Sequence, residues 1–368
     1  LGISSLIPAH IFASTSRKLQ DRGGTIVAAY SVNGNLDEDI FMSAKRISFH
    51  RILCPTDLSR ESDEAIRYAA GLARAYGSHL LVCHCVGPRM AVGPATDRIK
   101  RRIEGAVGKY LRAGRGPLPH WEALVVAGDP ADSIPRVAAE RGVDLIAMRS
   151  RRRPYAAALL GSTAESLCRT APCPVLVTHQ QEREWIGRST NEVDLRRVLV
   201  AHDFSSDSEL AVGYAISLSE EYQSEIHCLH VLEPSPWPQP APTPWSTSAT
   251  EQAFEEAARR LHNSIPPEAR NWCEVKHVIN QGQPYREILN YAEENDIDLI
   301  CMGVQGTGFG MRALFGSNVD RVLRQAPCPV LIARPLKPAV TAKDNDELLY
   351  AIDPGQSNSH AAYRGGSH

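Results

Sequence analysis

The feature that most constrains this chain is that its middle is written twice. Arg51-Ile52-Leu53-Cys54-Pro55-Thr56-Asp57-Leu58-Ser59 is answered by Arg197-Val198-Leu199-Val200-Ala201-His202-Asp203-Phe204-Ser205. Gly142-Val143-Asp144-Leu145-Ile146-Ala147-Met148 is answered by Asp296-Ile297-Asp298-Leu299-Ile300-Cys301-Met302. Ala171-Pro172-Cys173-Pro174-Val175-Leu176-Val177 is answered by Ala326-Pro327-Cys328-Pro329-Val330-Leu331-Ile332. Blocks in one order at a nearly constant offset mean two copies of one domain. A length of 368 residues agrees with two domains. The expected division is an extension over 1–47, a first copy over 48–180, a linker over 181–193, a second copy over 194–336 and a tail over 337–368.

Each copy alternates strands with helices. In the second, strands are expected near 197–201, 225–231, 273–280, 297–302 and 329–333. The first, fourth and fifth are short, continuous apolar runs, as in strands buried on both faces of a parallel sheet. Between them, Ser205 or Ser206 can cap a helix through Ala211, Ala215 and Leu218. Ala253 to Leu261 is amphipathic, and Pro284 stands where a first helical turn tolerates proline. The pattern predicts an α/β fold: two tandem open-sheet sandwiches, each with a five-stranded, mostly parallel sheet. Ligands on such sheets sit at the carboxyl ends of the strands, at the topological switch point.

Composition narrows the function classes. A net charge of −2 gives no global reason to bind nucleic acid or an anionic membrane. No run approaches the roughly 18 apolar residues of a membrane span. The nine cysteines are spread thinly through apolar runs, which reads as free thiols in a reducing cytoplasm. Cys83-His84-Cys85 reads as core packing or as metal ligands, and strand alternation favours packing. Residues 1–45 show no sustained period and no signal-peptide pattern. Met42 is a candidate initiator, which makes the preceding segment a candidate gene-start artefact. Disorder is expected in the polar tail.

The chemistry-bearing motif follows the fourth strand of the second copy. Gly303-Val304-Gln305-Gly306 opens a loop that closes on Phe315-Gly316-Ser317-Asn318, with a helix expected from near Val319. Glycines let backbone N–H groups approach an anion, and a helix N-terminus adds free donors and partial positive charge. The loop is neither a Walker A sequence nor a Rossmann fingerprint. The alternative is that these glycines serve only a tight loop.

The spacing Gly303-x2-Gly306-x9-Gly316-Ser317 resembles the ATP-binding signature of the universal stress protein family. Asp203 after the first strand, Gly282-Gln283-Pro284 and Ala326-Pro327-Cys328-Pro329-Val330-Leu331 resemble that family too. The resemblance covers both copies and implies an adenine-nucleotide alpha hydrolase-like fold. It implies ATP with Mg2+ as ligand, held by Gly303, Gly306, Gly316, Ser317 and Asn318 at the phosphates. Ala201, His202 and Asp203 would flank base and ribose, Val231 would pack near adenine, and Met302 would complete the crevice. Asp203 also reads as a turn or helix-capping carboxylate. The implied function is nucleotide-dependent regulation in prokaryotic stress physiology, with weak ATP hydrolysis at most. A nucleotide-independent interaction scaffold is the further alternative. The resemblance also implies dimers through the last strands. Here the copies can form that dimer within one chain, Val175-Leu176-Val177 against Val330-Leu331-Ile332, and a homodimer stays open.

The first copy departs from the motif. Its loop runs from Arg149-Ser150-Arg151-Arg152-Arg153-Pro154 to Gly161-Ser162-Thr163. Arginines replace both early glycines, so backbone cradling of a triphosphate should fail there. The arginines either form a solvated loop or bind a different anion by side chain. The Pro55-Thr56-Asp57 turn is kept. In the second copy, Pro234 to Pro244 has proline at every second position and reads as a stiff lid or spacer, with Trp237 and Trp245 beside it.

Overall fold

The computed structural model describes residues 28–29, 47–90, 93–113, 117–150, 161–179, 183–187, 190–234, 249–304 and 316–335. The first copy comprises β2 (Arg51–Pro55), α1 (Arg60–Tyr76), β3 (His79–Val86), α2 (Pro94–Ala113), β4 (Trp121–Ala127), α3 (Pro130–Glu140), β5 (Leu145–Arg149), α4 (Ser162–Thr170) and β6 (Val175–Thr178). The second comprises β7 (Arg197–Ala201), α5 (Ser206–Tyr222), β8 (Glu225–Leu232), α6 (Ala249–Asn263), β9 (Val275–Gln281), α7 (Pro284–Glu294), β10 (Leu299–Gly303), α8 (Ser317–Gln325) and β11 (Val330–Ala333). Within the segment read as irregular, Ala28–Ala29 forms β1, antiparallel to the outer edge of β9. That edge offers unpaired backbone groups to any passing segment.

All strands join one sheet in the order β1-β9-β8-β7-β10-β11-β6-β5-β2-β3-β4. Within each copy the pairs are parallel, and the first strand lies between the second and the fourth. The switch points are therefore β7/β10 and β2/β5. The copies meet where β11 runs antiparallel to β6, with Leu331 opposite Leu176 and flanking pairs Val330–Val177 and Ile332–Val175. All six residues are buried.

The helices divide between the two faces. Ile66, Leu72 and Ile103 of α1 and α2 share a core with Ala211, Ala215 and Leu261 of α5 and α6. Ile134 and Leu167 of α3 and α4 share the opposite core with Ile288, Val322 and Leu323 of α7 and α8. Both cores run across the joint. On the α1/α5 face, Phe49 stacks on Tyr214 at 6.4 Å and Tyr76 meets Tyr222 edge-on at 6.3 Å. The stretch between the copies does more than span, because Trp185, Ile186, Asn191 and Leu195 are buried. Trp185 is buried against Tyr68, and Arg67 pairs with Glu184 at 3.0 Å. Arg183 reaches the second copy, donating from its backbone N to Pro327 at 2.7 Å and from Nη1 to the Ile297 carbonyl at 3.0 Å. Arg334, just past β11, donates to the carbonyls of Cys168 and Arg169 at the end of α4.

Local chemistry explains the element ends. Ser59 and Ser205 cap α1 and α5, each Oγ accepting a backbone N–H at 3.2 Å. Pro284 takes the first position of α7, as its missing N–H permits. β9 starts at Val275, because Cys273 belongs to a preceding turn and donates to Ala269. β10 starts at Leu299, because the N–H of Ile297 closes the end of α7 on Ala292. That closure needs a left-handed residue, supplied by Asp296 at φ 51° and by Gly142 at φ 57° in the first copy. Asp298 then ties the starts of two strands together, accepting from the N–H groups of Arg196 at 3.0 Å and Arg197 at 2.9 Å. Asp144 does the same for His50 and Arg51. Asp298→Ala leaves two backbone donors without their acceptor and should cost about 2–3 kcal/mol. Urea unfolding measures it as a lowered midpoint at unchanged slope.

All nine cysteines are free thiols; eight are buried and Cys85 is half-buried. His84 turns away from them and lies 2.8 Å from the Thr56 carbonyl. Among the described residues no group of three or more His, Cys, Asp or Glu is placed to hold a metal ion. No helix among them is long and apolar enough to cross a membrane.

Candidate functional site

The site is built where β7 and β10 release the chain. Met302 pairs in register with Ala201, so Ala201-His202-Asp203 and Met302-Gly303-Val304 leave the sheet side by side. The β7 turn is tightly specified. Phe204 is left-handed at φ 63°, and Asp203 Oδ1 accepts from the Ser205 N–H at 3.1 Å and hydroxyl at 2.5 Å. The turn role of Asp203 is thus realised. Leu58 and Asp57 repeat this geometry in the first copy.

His202 is 4% exposed. Its Nδ1 accepts from the Phe204 N–H at 3.0 Å, which puts the proton on Nε2. Among the described residues that buried Nε2 has no partner. In the first copy Thr56 Oγ1 takes over the accepting role, toward the N–H of Leu58 at 3.0 Å. Burial holds the His202 pKa down at about 4, Asp203 opposing and His230 and Arg260 reinforcing the shift. A histidine with a depressed folded-state pKa contributes stability that is complete above its unfolded value of 6.5. That contribution is lost as pH falls toward 4. The loss between pH 7 and pH 5 should be about 1–2 kcal/mol. His202→Asn, whose Oδ1 can still accept from Phe204, should remove that part of the pH dependence, measured by urea unfolding at both pH values.

Two further polar residues stand here that sequence reasoning missed. His230 places Nδ1 2.7 Å from the His202 carbonyl, bracing the turn from β8, as His84 braces Thr56. The repeat aligns these two histidines, and that was the available signal. The Phe204 ring lies 4.3 Å from the His230 ring, and the Arg260 guanidinium lies 4.0 Å above it. Asn280 pairs in register with Val231, the half-buried residue near the end of β8. Its Nδ2 donates to Glu287 at 3.2 Å, while its Oδ1 is buried without a partner. No periodicity marks that position.

The glycine loop splits into two cases. At Gly303 a Cβ would lie 2.6 Å from the Asp207 Cβ and 2.7 Å from its backbone carbon. The close approach of α5 to β10 therefore demands glycine there. At Gly316 an added Cβ would meet Val304 and Val319 at an ordinary 3.4 Å. Gly316 caps α8 with no side-chain bond, so among the described residues the first N–H groups of that helix, at Ser317 and Asn318, have no cap. Ser317 is exposed and Asn318 half-buried. Gly306 and the proline-rich loop after Pro234, with Trp237 and Trp245, lie outside the described residues.

The first copy differs at the matching point. Arg149 stands where Gly303 does; its side chain is 4% exposed and pairs with Glu64 of α1. It is a structural cation, withdrawn from any surface anion. Arg151, Arg152 and Arg153 lie outside the described residues. Gly161 caps α4 without a side-chain bond, as Gly316 caps α8.

Comparison with known proteins agrees with this architecture. The Universal stress protein family profile matches residues 48–179 and again 194–334. A universal stress protein of Mycobacterium tuberculosis is 28% identical over 306 residues, covering 77% of this chain and 96% of that protein. One from Thermus aquaticus is 34% identical over 145 residues, covering 38% of this chain and 98% of its own length. The crystal structure of a universal stress protein from Archaeoglobus fulgidus superposes with TM-score 0.54 at 25% identity, covering 77% of this chain and 98% of that one. With both copies matched, one continuous sheet and the same turn at the end of β2 and β7, this chain belongs to the universal stress protein family.

Proposed function

We propose that this chain is an ATP-binding regulatory protein of the stress response, with the nucleotide held by the second copy. The observation that carries this reading is the open N-terminus of α8. Among the described residues nothing caps its N–H groups, and the Gly316 backbone N lies 3.5 Å from the carbonyl of Val304, the residue after β10. A helix start favours an anion, and a switch point is where ligands of open α/β sheets sit. The unpartnered Nε2–H of His202 and Oδ1 of Asn280 supply a donor and an acceptor at the strand ends. In this reading Ser317, Asn318, Gly316 and Gly306 face the phosphates of Mg2+-ATP. Ala201, His202, Asp203 and Met302 flank base and ribose, and Val231 lies against adenine.

The first copy serves as structural or sensory partner. Its fourth strand ends in a buried, ion-paired Arg149 where the second copy has Gly303. The antiparallel β6–β11 joint acts as the family-type dimer contact inside one chain. ATP then acts by favouring one arrangement of the two copies, through its differential affinity for it.

Calorimetric titration with Mg2+-ATP tests the assignment. Ser317→Ala removes one hydroxyl donor to phosphate and should weaken binding by roughly tenfold to a hundredfold. Ser162→Ala, its counterpart in the first copy, should change nothing. Equal effects of the two variants would contradict the assignment to the second copy. Nucleotide that stays ATP through hours with Mg2+ supports a regulatory role, whereas steady conversion to ADP would replace it with a slow ATPase.

A further inference from the structure

The first copy carries a concavity of its own, on the α1/α2 side of the turn that follows β2. Between α1 and α2, beside the Thr56–Leu58 turn, lies a cavity of about 430 Å3. Its wall includes Arg60 from α1 and Arg101, Arg102 and Lys109 from α2, against a single carboxylate, Asp63. Its floor is apolar, with Ile66 and Ile103 both fully buried.

Among the described residues the four cations have no carboxylate partner. Elsewhere this chain pairs its arginines: Arg67 with Glu184, Arg149 with Glu64, Arg183 with Asp296 and Arg324 with Asp320. Among the described residues none of Arg60, Arg101, Arg102 or Lys109 forms an ion pair. They are nonetheless positioned. Arg102 donates through Nη2 to the Leu58 carbonyl, Arg101 through Nε to that of Asp97 at 3.4 Å, and Lys109 Nζ lies 5.0 Å from the Tyr110 ring centre. Asp63 feels Lys109, Arg102 and Arg60 together yet binds none of them. A chain of net charge −2 has carboxylates to spare, so an unpaired cationic cluster around one cavity is a local choice.

The second copy does not repeat it. α2 carries Arg98, Lys100, Arg101, Arg102, Lys109 and Arg112 against Asp97 and Glu104. In α6, Glu251, Glu255 and Glu256 outweigh Arg259 and Arg260. The feature thus belongs to this copy rather than to the shared fold.

We propose that the α1/α2 cavity of the first copy binds a small organic polyanion, a compact apolar body bearing two or more phosphate, sulfonate or carboxylate groups. Guanidinium groups grip such charges in forked geometry while the body lies against the part of the lining that is open to solvent, Leu58, Gly105 and Ala106. The site is independent of ATP in the second copy and gives the two copies different ligands.

Fluorescence titration of the full chain with pyranine, a pyrene trisulfonate unlike any nucleotide, tests this. Saturable binding is expected, weakened by roughly tenfold or more in both Lys109→Glu and Arg101→Glu. Arg98→Glu, on the same helix but outside the cavity wall, should bind as the parent does. Saturating ATP and Ser317→Ala should leave pyranine binding intact. Absence of saturable binding would overturn the proposal. So would equal loss in Arg98→Glu, which means a diffuse field, or displacement by ATP, which places the probe in the other crevice. Because all three substituted residues are exposed, the variants should fold, and an unchanged urea midpoint checks that they do.

Discussion

Gly303→Val should lower the stability of the second copy by about 1–3 kcal/mol and weaken ATP binding more than tenfold. The cause is steric and lies in the backbone. A Cβ at 303 falls 2.6 Å from the Asp207 Cβ and 2.9 Å from its carbonyl oxygen, and backbone atoms at the start of a helix cannot rotate aside. Relief requires α5 to move off β10. That carries with it the Asp203–Ser205 turn, which flanks the nucleotide in the proposed site. Arg149→Ala in the first copy removes an ion pair with Glu64 and should leave ATP affinity as it was. Denaturant unfolding and calorimetric titration on both variants decide the matter. Undiminished ATP binding by Gly303→Val would show that the strand-end geometry is not what holds the ligand.

Leu176→Asp should be the most damaging single change at the joint between the copies. Leu176 and Leu331 face each other at the centre of the β6–β11 pair, each 2% exposed. Removing the leucine alone costs about 2–5 kcal/mol, and an unpaired carboxylate at that point adds its desolvation. A total of roughly 4 kcal/mol or more is expected. It should appear as unfolding in two separated transitions, since both cores run continuously through this joint in the parent chain. Leu118→Asp, at a site 66% exposed, is the control and should leave the midpoint within about 0.5 kcal/mol. A single transition near the parent midpoint in Leu176→Asp would mean that the joint contributes little.

Much of this fold could be read directly from the residues, and the reasons are local. Continuous apolar runs marked β7, β10 and β11, Ser205 marked the start of α5, and Pro284 marked the start of α7. What stayed hidden depends on partners distant in sequence. Trp185 lies in a stretch with the composition of a linker, and only the packing of Tyr68 against it shows that the stretch is core. Strand ends shifted where a neighbouring turn claimed a residue, as Cys273 and Ile297 show. Gly303 and Gly316 look alike in a motif, yet one answers to Asp207 and the other leaves a helix start open. His230 and Asn280 lie in strands that read as core, and their polar function appears only across β7 and α7. The α1/α2 cavity needs two helices to bring together cations that each look solvated when taken alone.

If one copy of the two holds ATP, the nucleotide should stay with the full chain through purification. The most direct test is to purify the full chain without added nucleotide, denature it, and identify what is released by chromatography and mass spectrometry. About one equivalent of ATP per chain is expected, lost in Ser317→Ala and retained in Ser162→Ala. No nucleotide released, together with no ATP binding on titration, would contradict this expectation and leave the chain as a nucleotide-independent scaffold.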